Sequence, residues 1–298
     1  MNKHEQFILD IVNRGGPTID VYDYVLESFN EIGKIIKEFN FSNEQLITYW
    51  RQFGEAFNSN TLQSHVIRKP YGYAGDYEII DKIYTRWTAS DEISKKWDLF
   101  YQSQKAPHAV RARKDYFKTL IKQKLSILPN NRNIEILDIG CGSSRDIYEL
   151  LNEIGEKKIT FYCIDMDENA IKFSKDLCKN YLSQINFIHK NVLRFNVNKK
   201  YDIIWSAGLF DYLDDRVFNF LLKKLLSLTK KDSEIIIGNF SPQNPTRYYM
   251  ECGYWFLQYR DKVKLLTLSH QVSDSNFDCY IDSEEEGINL FLHVKKDS

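Results

Sequence analysis

From residue 134 onward, short apolar runs alternate with amphipathic segments, and this alternation restricts the fold more than any other feature of the chain. The runs are rich in β-branched residues and nearly continuous, as expected for strands that are buried on both faces. They are IEILDIG at 134–140, ITFYCI at 159–164, INFI at 185–188, YDIIW at 201–205 and EIIIG at 234–238. Helical patterns lie between several of them, at 145–154, 168–182 and 215–230. Strands that alternate with helices predict βαβ units and a parallel sheet.

The C-terminal segment has a different pattern. A helix is predicted across Asp261–Gln271, and the apolar segments FDCYIDS and INLFLHV follow, separated by EEEG. Two short apolar segments around such a polar connection predict an antiparallel hairpin.

The N-terminal part reads as helical. Apolar residues recur at spacings of three and four between Thr18 and Phe39, and Ser42–Gln45 has the pattern of a capping box. Further helices are predicted across Asp91–Gln102 and from Pro107 to Leu128. Pro107 suits a first helical turn, where its missing N–H has no partner. We therefore expect a helical N-terminal region that caps the site or binds substrate (1–128) and a separate α/β domain (129–298).

Composition excludes several classes of function. Lys and Arg number 40 against 41 Asp and Glu, so the formal net charge of −1 gives no basic field for nucleic acid. The five cysteines form no CxxC pair and no metal-ligand spacing, which is typical of reduced thiols in the cytoplasm. No apolar run approaches the about 20 residues of a membrane span, and the N-terminus lacks a signal-peptide pattern. We expect a cytoplasmic protein without a metal, a nucleic-acid partner or a membrane span.

The first strand runs into ILDIGCGSSRDIYEL, which places Gly140 and Gly142 at a strand-to-helix turn. Glycine lets the backbone approach a ligand closely, and a helix N-terminus faces that ligand. Asp165 ends the second strand, where an acid can accept hydrogen bonds from two ribose hydroxyls. The GxGxxG dinucleotide fingerprint is absent. Asp138 instead precedes the first glycine by two residues, giving D-x-G-x-G.

This combination resembles the class I S-adenosylmethionine-dependent methyltransferases, over about residues 134–298. The resemblance implies a Rossmann-like α/β fold with a seven-stranded sheet whose last strand is antiparallel, and S-adenosylmethionine as cofactor. A Rossmann domain that binds NAD is the alternative. The resemblance to the methyltransferases implies a set of cofactor-binding residues within the α/β domain. They are Asp138, Gly140, Cys141, Gly142, Asp165, Met166, Asn191, Val192, Ser206, Ala207 and Gly208.

Three motifs extend the resemblance to one methyltransferase family: RKPYGYAGDY at 68–77, SAGLFDYL at 206–213 and GNFSPQNPTRYYMECGYWFLQYR at 238–260. Together they resemble the extracellular-factor 3-hydroxypalmitic acid methyl ester biosynthesis proteins. Such a resemblance implies methylation of the carboxylate of a 3-hydroxy fatty acid.

Residues 68–77, the tyrosine loop, are expected to form a lid that faces the transferred methyl. Its aromatic faces would attract the positive sulfonium, with Tyr73 at the acceptor and Tyr77 at the cofactor. The alternative is a surface turn whose aromatic residues pack two helices together. Candidate catalytic residues are Tyr73, Asp76, His108 and Asp211.

Arginine suits bidentate binding of a carboxylate, so Arg111 and Arg113 are candidates for contact with the cofactor or the acceptor. A charged helix face is the alternative for both. The acceptor is expected to contact Tyr73, Tyr212, Arg247, Tyr248, Glu251 and Trp255. If residues 244–259 form a helix, Tyr248, Glu251 and Trp255 would share one face. That face would either line the acceptor pocket or pack against the N-terminal helices.

The sequence therefore predicts a methyltransferase that acts on a small molecule, with O-methylation favoured and a carboxylate, such as that of a hydroxy fatty acid, as one acceptor. A carboxylate needs no general base, whereas a hydroxyl or an amine would need one. An N-methyltransferase acting on a small amine or peptide, and a non-catalytic protein that binds S-adenosylmethionine, are the alternatives.

Overall fold

A computed structural model describes residues 1–54, 57, 60–127, 129, 132–155, 158–273 and 276–296. The chain divides into two compact units. The first comprises Met1–Arg111 and Asn244–Phe256, and the second comprises Ala112–Gln243 and Leu257–Ser298. No helix in the described ranges is long and apolar enough to cross a membrane.

The predicted helices and strands are present in the predicted order, together with helices at Lys3–Asn13, Leu62–Arg68 and Tyr77–Tyr84 that were not predicted. The helices are α1 (Lys3–Asn13), α2 (Tyr22–Phe39), α3 (Asn43–Arg51), α4 (Leu62–Arg68), α5 (Tyr77–Tyr84), α6 (Glu92–Ser103), α7 (Lys105–Ser126), α8 (Arg145–Ile154), α9 (Glu168–Leu177), α10 (Asp215–Leu226), α11 (Arg247–Cys252) and α12 (Lys262–His270). The strands are β1 (Ile134–Ile139), β2 (Ile159–Asp165), β3 (Ile185–His189), β4 (Tyr201–Ala207), β5 (Thr229–Phe240), β6 (Phe277–Ser283) and β7 (Asn289–Lys296). Short 3₁₀ turns lie at Ile19–Val21, Lys179–Tyr181, Val192–Arg194 and Phe210–Tyr212.

Local sequence signals set the helix starts in the first unit. The capping box is confirmed: Gln45 N donates to Ser42 Oγ at 3.2 Å, and Ser42 N donates to Gln45 Oε1 at 2.8 Å. Pro107 lies in the first turn of α7, as predicted. The predicted end of that helix, Leu128, lies outside the described residues.

The core of the first unit is aromatic. Phe29, Trp50 and Phe57 are buried, and the rings of Trp50 and Phe57 stack with centroids 4.7 Å apart. Tyr249 of α11 packs on Phe29 at 4.9 Å. A Cβ on Gly33 of α2 would lie 2.1 Å from the backbone oxygen of Tyr248, so α2 and α11 approach too closely there for any larger residue. The alternative that this segment packs against the N-terminal helices is thus observed.

The second unit contains a seven-stranded sheet in the order β3-β2-β1-β4-β5-β7-β6. Strands β1 to β5 pair in parallel, and β7 runs antiparallel to both β5 and β6. The predicted hairpin and the reversed last strand are both confirmed.

Alternate residues of the strands fill two apolar layers, one on each face of the sheet. Leu137 and Ile237 point into the layer that α10 and α12 cover through Leu221 and Leu265. The other layer contains Ile136, Phe161 and Trp205, together with Phe117 of α7, Leu150 of α8 and Ile171 of α9. Burial on both faces explains why these strands read as continuous apolar runs.

The boundaries of the two structural units differ from the domain boundary that was predicted between residues 128 and 129. Helix α7 contributes residues to both units because its second half carries Phe117 and Ile121 into the layer beside the sheet. Residues 244–256 belong to the first unit through the contacts of α11 with α2. The helix predicted at 215–230 ends at Leu226, since Thr229 already pairs with Tyr201 of β4.

Candidate active site

The candidate site begins at the glycine turn (residues 140–144), which joins β1 to α8. Gly140 and Gly142 have φ angles of +70° and +52°, a left-handed conformation that costs glycine least. The backbone amides of Gly140 and Cys141 donate to Ile164 O at 2.8 and 3.2 Å, which ties the turn to β2. The two glycines were predicted to let the backbone approach a ligand closely at a strand-to-helix turn. The turn has the left-handed conformation that glycine permits.

Asp165 lies at the carboxyl end of β2 and organises the backbone on both sides. Gly142 N donates to its Oδ2, and Asp167 N donates to its Oδ1, both at 2.9 Å. Each carboxylate oxygen keeps acceptor capacity beyond these bonds. The geometry therefore suits an acid that holds the glycine turn and also accepts hydrogen bonds from two ribose hydroxyls.

Two buried acids, Asp138 and Asp146, and the partly buried Asp165 surround the glycine turn. Burial, together with the charges of Asp146 and Asp165, holds the pKa of Asp138 well above its usual range. Burial also raises the pKa of Asp146 to about 6, although the Ile147 N–H and the Arg113 guanidinium oppose this shift. The pKa of Asp165 is raised by burial as well, against its two backbone N–H partners. A cationic ligand at this turn would relieve the repulsion among the three carboxylates.

Several polar atoms at this turn are buried without a hydrogen-bond partner. Within the described ranges, Asp138 Oδ2, Ser143 Oγ and Ser144 Oγ have none. A buried polar group that lacks a partner is costly, and a ligand is one way to satisfy it. S-adenosylmethionine carries hydroxyls, an ammonium group and a sulfonium, so the acceptors and acids here fit it.

The edge of the site next to β3 is more open. Met166 follows Asp165 and is 68% exposed, and its backbone oxygen contacts His189 Nε2 at 3.0 Å. Asn191 caps the 3₁₀ turn that starts at Val192, through a bond from Leu193 N at 2.9 Å. An exposed thioether beside Asn191 and Val192 suits the face and edge of a flat aromatic base.

At the end of β4, Ser206 Oγ donates to Ile139 O at 2.9 Å and so joins the ends of β4 and β1. Ala207 ends the strand, and Gly208 has a φ of +106°. A Cβ on Gly208 would lie 3.0 Å from Arg113 Nη1, so the absence of a side chain makes room for this guanidinium. Arg113 is buried and lies within electrostatic reach of Asp146 and Asp211.

These features lie at the carboxyl ends of adjacent strands β1 to β4, where ligands bind in open α/β sheets. A family model described as "Methyltransferase domain" matches residues 130–285. The chain belongs to the methyltransferase-domain family. The prediction of a class I S-adenosylmethionine-dependent methyltransferase domain is confirmed, and the alternative of an NAD-binding Rossmann domain is set aside.

Among curated proteins, the chain is similar to malonyl-[acyl-carrier protein] O-methyltransferase 1 of Ilyobacter polytropus. The two are 28% identical over 179 residues, which is 58% of this chain and 63% of that protein. The chain thus spans less than two thirds of the length of this relative.

Solved structures share the fold. A possible exported protein of Bordetella parapertussis superposes with a TM-score of 0.67 at 15% identity, covering 93% of this chain and 97% of that one. The magnesium protoporphyrin IX methyltransferase of Synechocystis, solved with bound S-adenosylhomocysteine, gives 0.51 at 13% identity, covering 66% of this chain and 89% of that one.

In the methyltransferase domain, Asp211 lies in the 3₁₀ turn after β4 and is 2% exposed. Its Oδ1 accepts from Phe240 N at 2.7 Å, and its backbone oxygen accepts from Gln258 N. Burial raises the pKa of Asp211 to about 7, although the Phe240 N–H and the Arg113 and Arg260 guanidinium groups oppose it. Tyr212 beside it is 42% exposed.

Two further residues of this region, Asp146 and Arg260, were not identified from the sequence. Asp146 opens α8 within the acid cluster, and Arg260 bonds to Phe210 O at 3.0 Å and Asn239 Oδ1 at 2.8 Å beneath the turn after β4. A buried acid in the first turn of a helix, directly after a glycine turn, was the available signal for Asp146. Arg260 gave no local signal because its partners are more than 20 residues away.

Within the first unit, the tyrosine loop joins α4 to α5. Asp76 caps α5 through bonds from Glu78 N and Ile79 N at 3.0 Å, and His65 Nε2 lies 2.8 Å from its Oδ2. Tyr77 is buried, and its hydroxyl donates to the Tyr71 hydroxyl at 2.8 Å. Asp76 and Tyr77 thus have structural contacts inside the loop, whereas Tyr73 is 40% exposed. Their predicted roles toward cofactor and acceptor stay predictions.

The remaining predicted residues of the first unit lie in α7 and around α11. His108 lies half-buried in the first half of α7. Glu251 is buried and binds Arg247 Nε at 2.9 Å and Lys37 Nζ at 3.2 Å. The cations of Lys34, Lys37 and Arg247 lie over the ring of Tyr248. Trp255 lies beyond the end of α11 at Cys252, so the predicted common helical face of Tyr248, Glu251 and Trp255 does not form. Gly253 and the left-handed Tyr254 follow the helix end.

Proposed function

We propose that this protein is an S-adenosylmethionine-dependent O-methyltransferase whose acceptor is a carboxylate on a small molecule. The observation that carries the cofactor assignment is Asp165, which bonds the glycine turn at Gly142 while the neighbouring Asp138 Oδ2 lacks a partner among the described residues. Family membership supports the reaction class.

When bound, S-adenosylmethionine supplies an electrophilic methyl group that a nucleophile takes directly. The residues of the chain then have to bind, orient and exclude water. Asp165 would hold the ribose, Asp146 would place negative charge near the cationic cofactor, and Asp138 Oδ2 would gain a hydrogen-bond partner. Arg113, in the space that Gly208 leaves, is suited to the carboxylate of the cofactor.

The contacts of the two acids among the candidate bases, Asp76 and Asp211, favour a carboxylate acceptor. A hydroxyl or an amine must lose a proton, whereas a carboxylate is already ionised at pH 7. Asp211 is 2% exposed and accepts from Phe240 N, and Asp76 is 1% exposed and both caps α5 and contacts His65. Both acids therefore serve hydrogen bonds inside the fold, which supports an acceptor that needs no base.

The similarity to a malonyl-[acyl-carrier protein] O-methyltransferase supports the same acceptor class, because a malonyl group offers a carboxylate oxygen. The resemblance to the 3-hydroxypalmitic acid methyl ester biosynthesis proteins also implies a carboxylate, on a hydroxy fatty acid. We therefore propose an acyl compound with a terminal carboxylate as the acceptor.

Incubation with labelled methyl donor and separate sets of carboxylic acids, phenols and amines tests this proposal. A methyl ester releases labelled methanol in mild alkali, whereas a methyl ether or an N-methyl product does not. We expect base-labile label with at least one acid. Base-stable label with amines alone would instead support the N-methyltransferase alternative. Tight cofactor binding without transfer to any set would support the non-catalytic alternative.

A further inference from the structure

Arg111 is a buried cation in the first unit. Its side chain is 6% exposed, and among the described residues its guanidinium bonds only Gln102. Nη1 donates to Gln102 Oε1 at 2.7 Å, and Nη2 donates to Gln102 O at 2.8 Å. A guanidinium has five N–H donors, so these two bonds leave donor capacity unused.

Among the residues that the structure describes, Arg111 has no acidic partner. Across the described ranges of the chain, no Asp or Glu forms an ion pair with it, and the charged neighbour that acts on it is another cation, Arg86. Burial and the Arg86 charge lower the pKa of Arg111 to about 10, so it remains protonated at neutral pH. Buried charges are normally paired, and an uncompensated one is costly.

Gln102 binds Arg111 and also the backbone of the turn that carries Arg86. Its Nε2 donates to Lys82 O at 3.0 Å and to Trp87 O at 3.1 Å, on either side of Arg86, while its two carbonyl oxygens accept from Arg111. Arg86 itself has a φ of +54°, a conformation that is unfavourable for a residue with a side chain. The turn that carries Arg86 is therefore tied to the residue that binds Arg111, and the charge of Arg86 acts on Arg111.

We propose that Arg111, with Arg86, forms an anion-binding site in the first unit that takes a carboxylate of the methyl acceptor. A bound carboxylate supplies the missing counter-ion and can accept two parallel N–H bonds from one guanidinium. The identity of this anion as the acceptor rests on the proposed function, whereas the site itself rests on the contacts of Arg111.

The test measures binding of malonate, hexanoate and dodecanoate by calorimetry to the full chain saturated with S-adenosylhomocysteine. We expect at least one carboxylate to bind, and Arg111→Gln to weaken that binding by about 10- to 100-fold. The methyl ester of the same acid should bind the wild type and Arg111→Gln equally. Arg86→Gln, at an exposed position, should weaken binding by about 2- to 5-fold. The control Arg51→Gln, at an exposed arginine of α3, should change nothing.

Thermal unfolding distinguishes a binding residue from a structural one. Arg111→Gln keeps a donor for Gln102 and removes the uncompensated charge, so the Tm without carboxylate should stay equal or rise. The proposal is overturned if no carboxylate prefers the wild type, or if Arg111→Gln lowers Tm while carboxylate binding is unchanged. Failure of the wild type to bind S-adenosylhomocysteine would contradict the proposed function instead, and carboxylate binding without that ligand would still test the site.

Discussion

A substitution at Gly208 distinguishes the effect of backbone strain from the effect of displacing the Arg113 side chain. Gly208→Ala adds a Cβ at 3.0 Å from Arg113 Nη1, and the φ of +106° is unfavourable for alanine. Gly155→Ala is the matched control, because its φ of +63° is also left-handed while a Cβ there meets no described atom within 4 Å. Both variants should lose roughly 1–3 kcal/mol of unfolding free energy. Only Gly208→Ala should weaken S-adenosylhomocysteine binding in calorimetry, by about 10-fold. Equal effects of both on binding would contradict the role of Arg113.

Asp211 should make stability depend on pH. Its pKa is raised to about 7 in the fold, so its contribution is fully present below the unfolded pKa of about 3.9 and is lost as pH rises through 7. Asp211→Asn cannot ionise and keeps an acceptor for Phe240 N. Between pH 5 and pH 8 the variant should therefore gain about 2 kcal/mol relative to the wild type in urea unfolding. A difference that stays constant with pH, like that of the exposed control Asp176→Asn, would show that Asp211 does not titrate in this range.

At this scale the sequence predicts residues whose role follows from a local pattern. Asp165, Gly140 and Gly142 are such residues, because a strand end and a tight turn each restrict which side chain fits. Arg260 gave no local signal, since its partners lie in the turn after β4 and in β5 and only the folded chain brings them together. Asp146 had a local signal in its place after the glycine turn, but the nearby charge of Arg113 from α7 follows only from the fold.

The acids around the glycine turn should act together on the affinity for a cationic ligand. Because burial raises the pKa of Asp146 to about 6, the negative charge at this turn increases between pH 5 and pH 8. S-adenosylmethionine carries a sulfonium that S-adenosylhomocysteine lacks, so the ratio of their affinities should shift toward the cation by about 3- to 10-fold over this range. Asp146→Asn should flatten the shift. An affinity ratio that does not depend on pH would contradict electrostatic stabilisation by this turn.

The tyrosine loop contains two tyrosines that should behave differently. Tyr77→Ala removes a buried ring and its bond to Tyr71, which should cost about 3 kcal/mol of unfolding free energy. Tyr73 is 40% exposed, so Tyr73→Ala should cost about 1 kcal/mol or less. If the loop is a lid over the transferred methyl, Tyr73→Ala should still lower kcat/KM by about 10-fold or more. Unchanged kinetics with Tyr73→Ala would favour the alternative of a structural turn.

Element types were predictable where one pattern extends over the whole segment. The central strands are nearly continuous apolar runs, and α2 has a helical period. Asp76 has the chemistry of an N-cap, although it was predicted as catalytic. Boundaries were less predictable. The apolar spacing of 215–230 reaches Leu228, directly before Thr229, and only pairing with β4 decides that Thr229 is already strand.

For the whole molecule, the fold and the cofactor were predictable and the acceptor was not. The family match begins at residue 130, and the sheet edge that it covers has chemistry common to many methyltransferases. The first unit has its own aromatic core, and its pattern reports helices and packing rather than a ligand. Arg111 gained significance only when the fold showed that it is buried without an acid.

Titration of the full chain with S-adenosylhomocysteine in a calorimeter tests the central claim most directly. The account predicts saturable binding at one site per chain, which Asp165→Asn should weaken by about 10- to 100-fold, because the ribose would lose bonds to a charged acceptor. Asp176→Asn, an exposed acid on α9, should bind like the wild type. Absence of binding by both S-adenosylhomocysteine and S-adenosylmethionine, with Asp165 intact and the chain folded, would contradict the account.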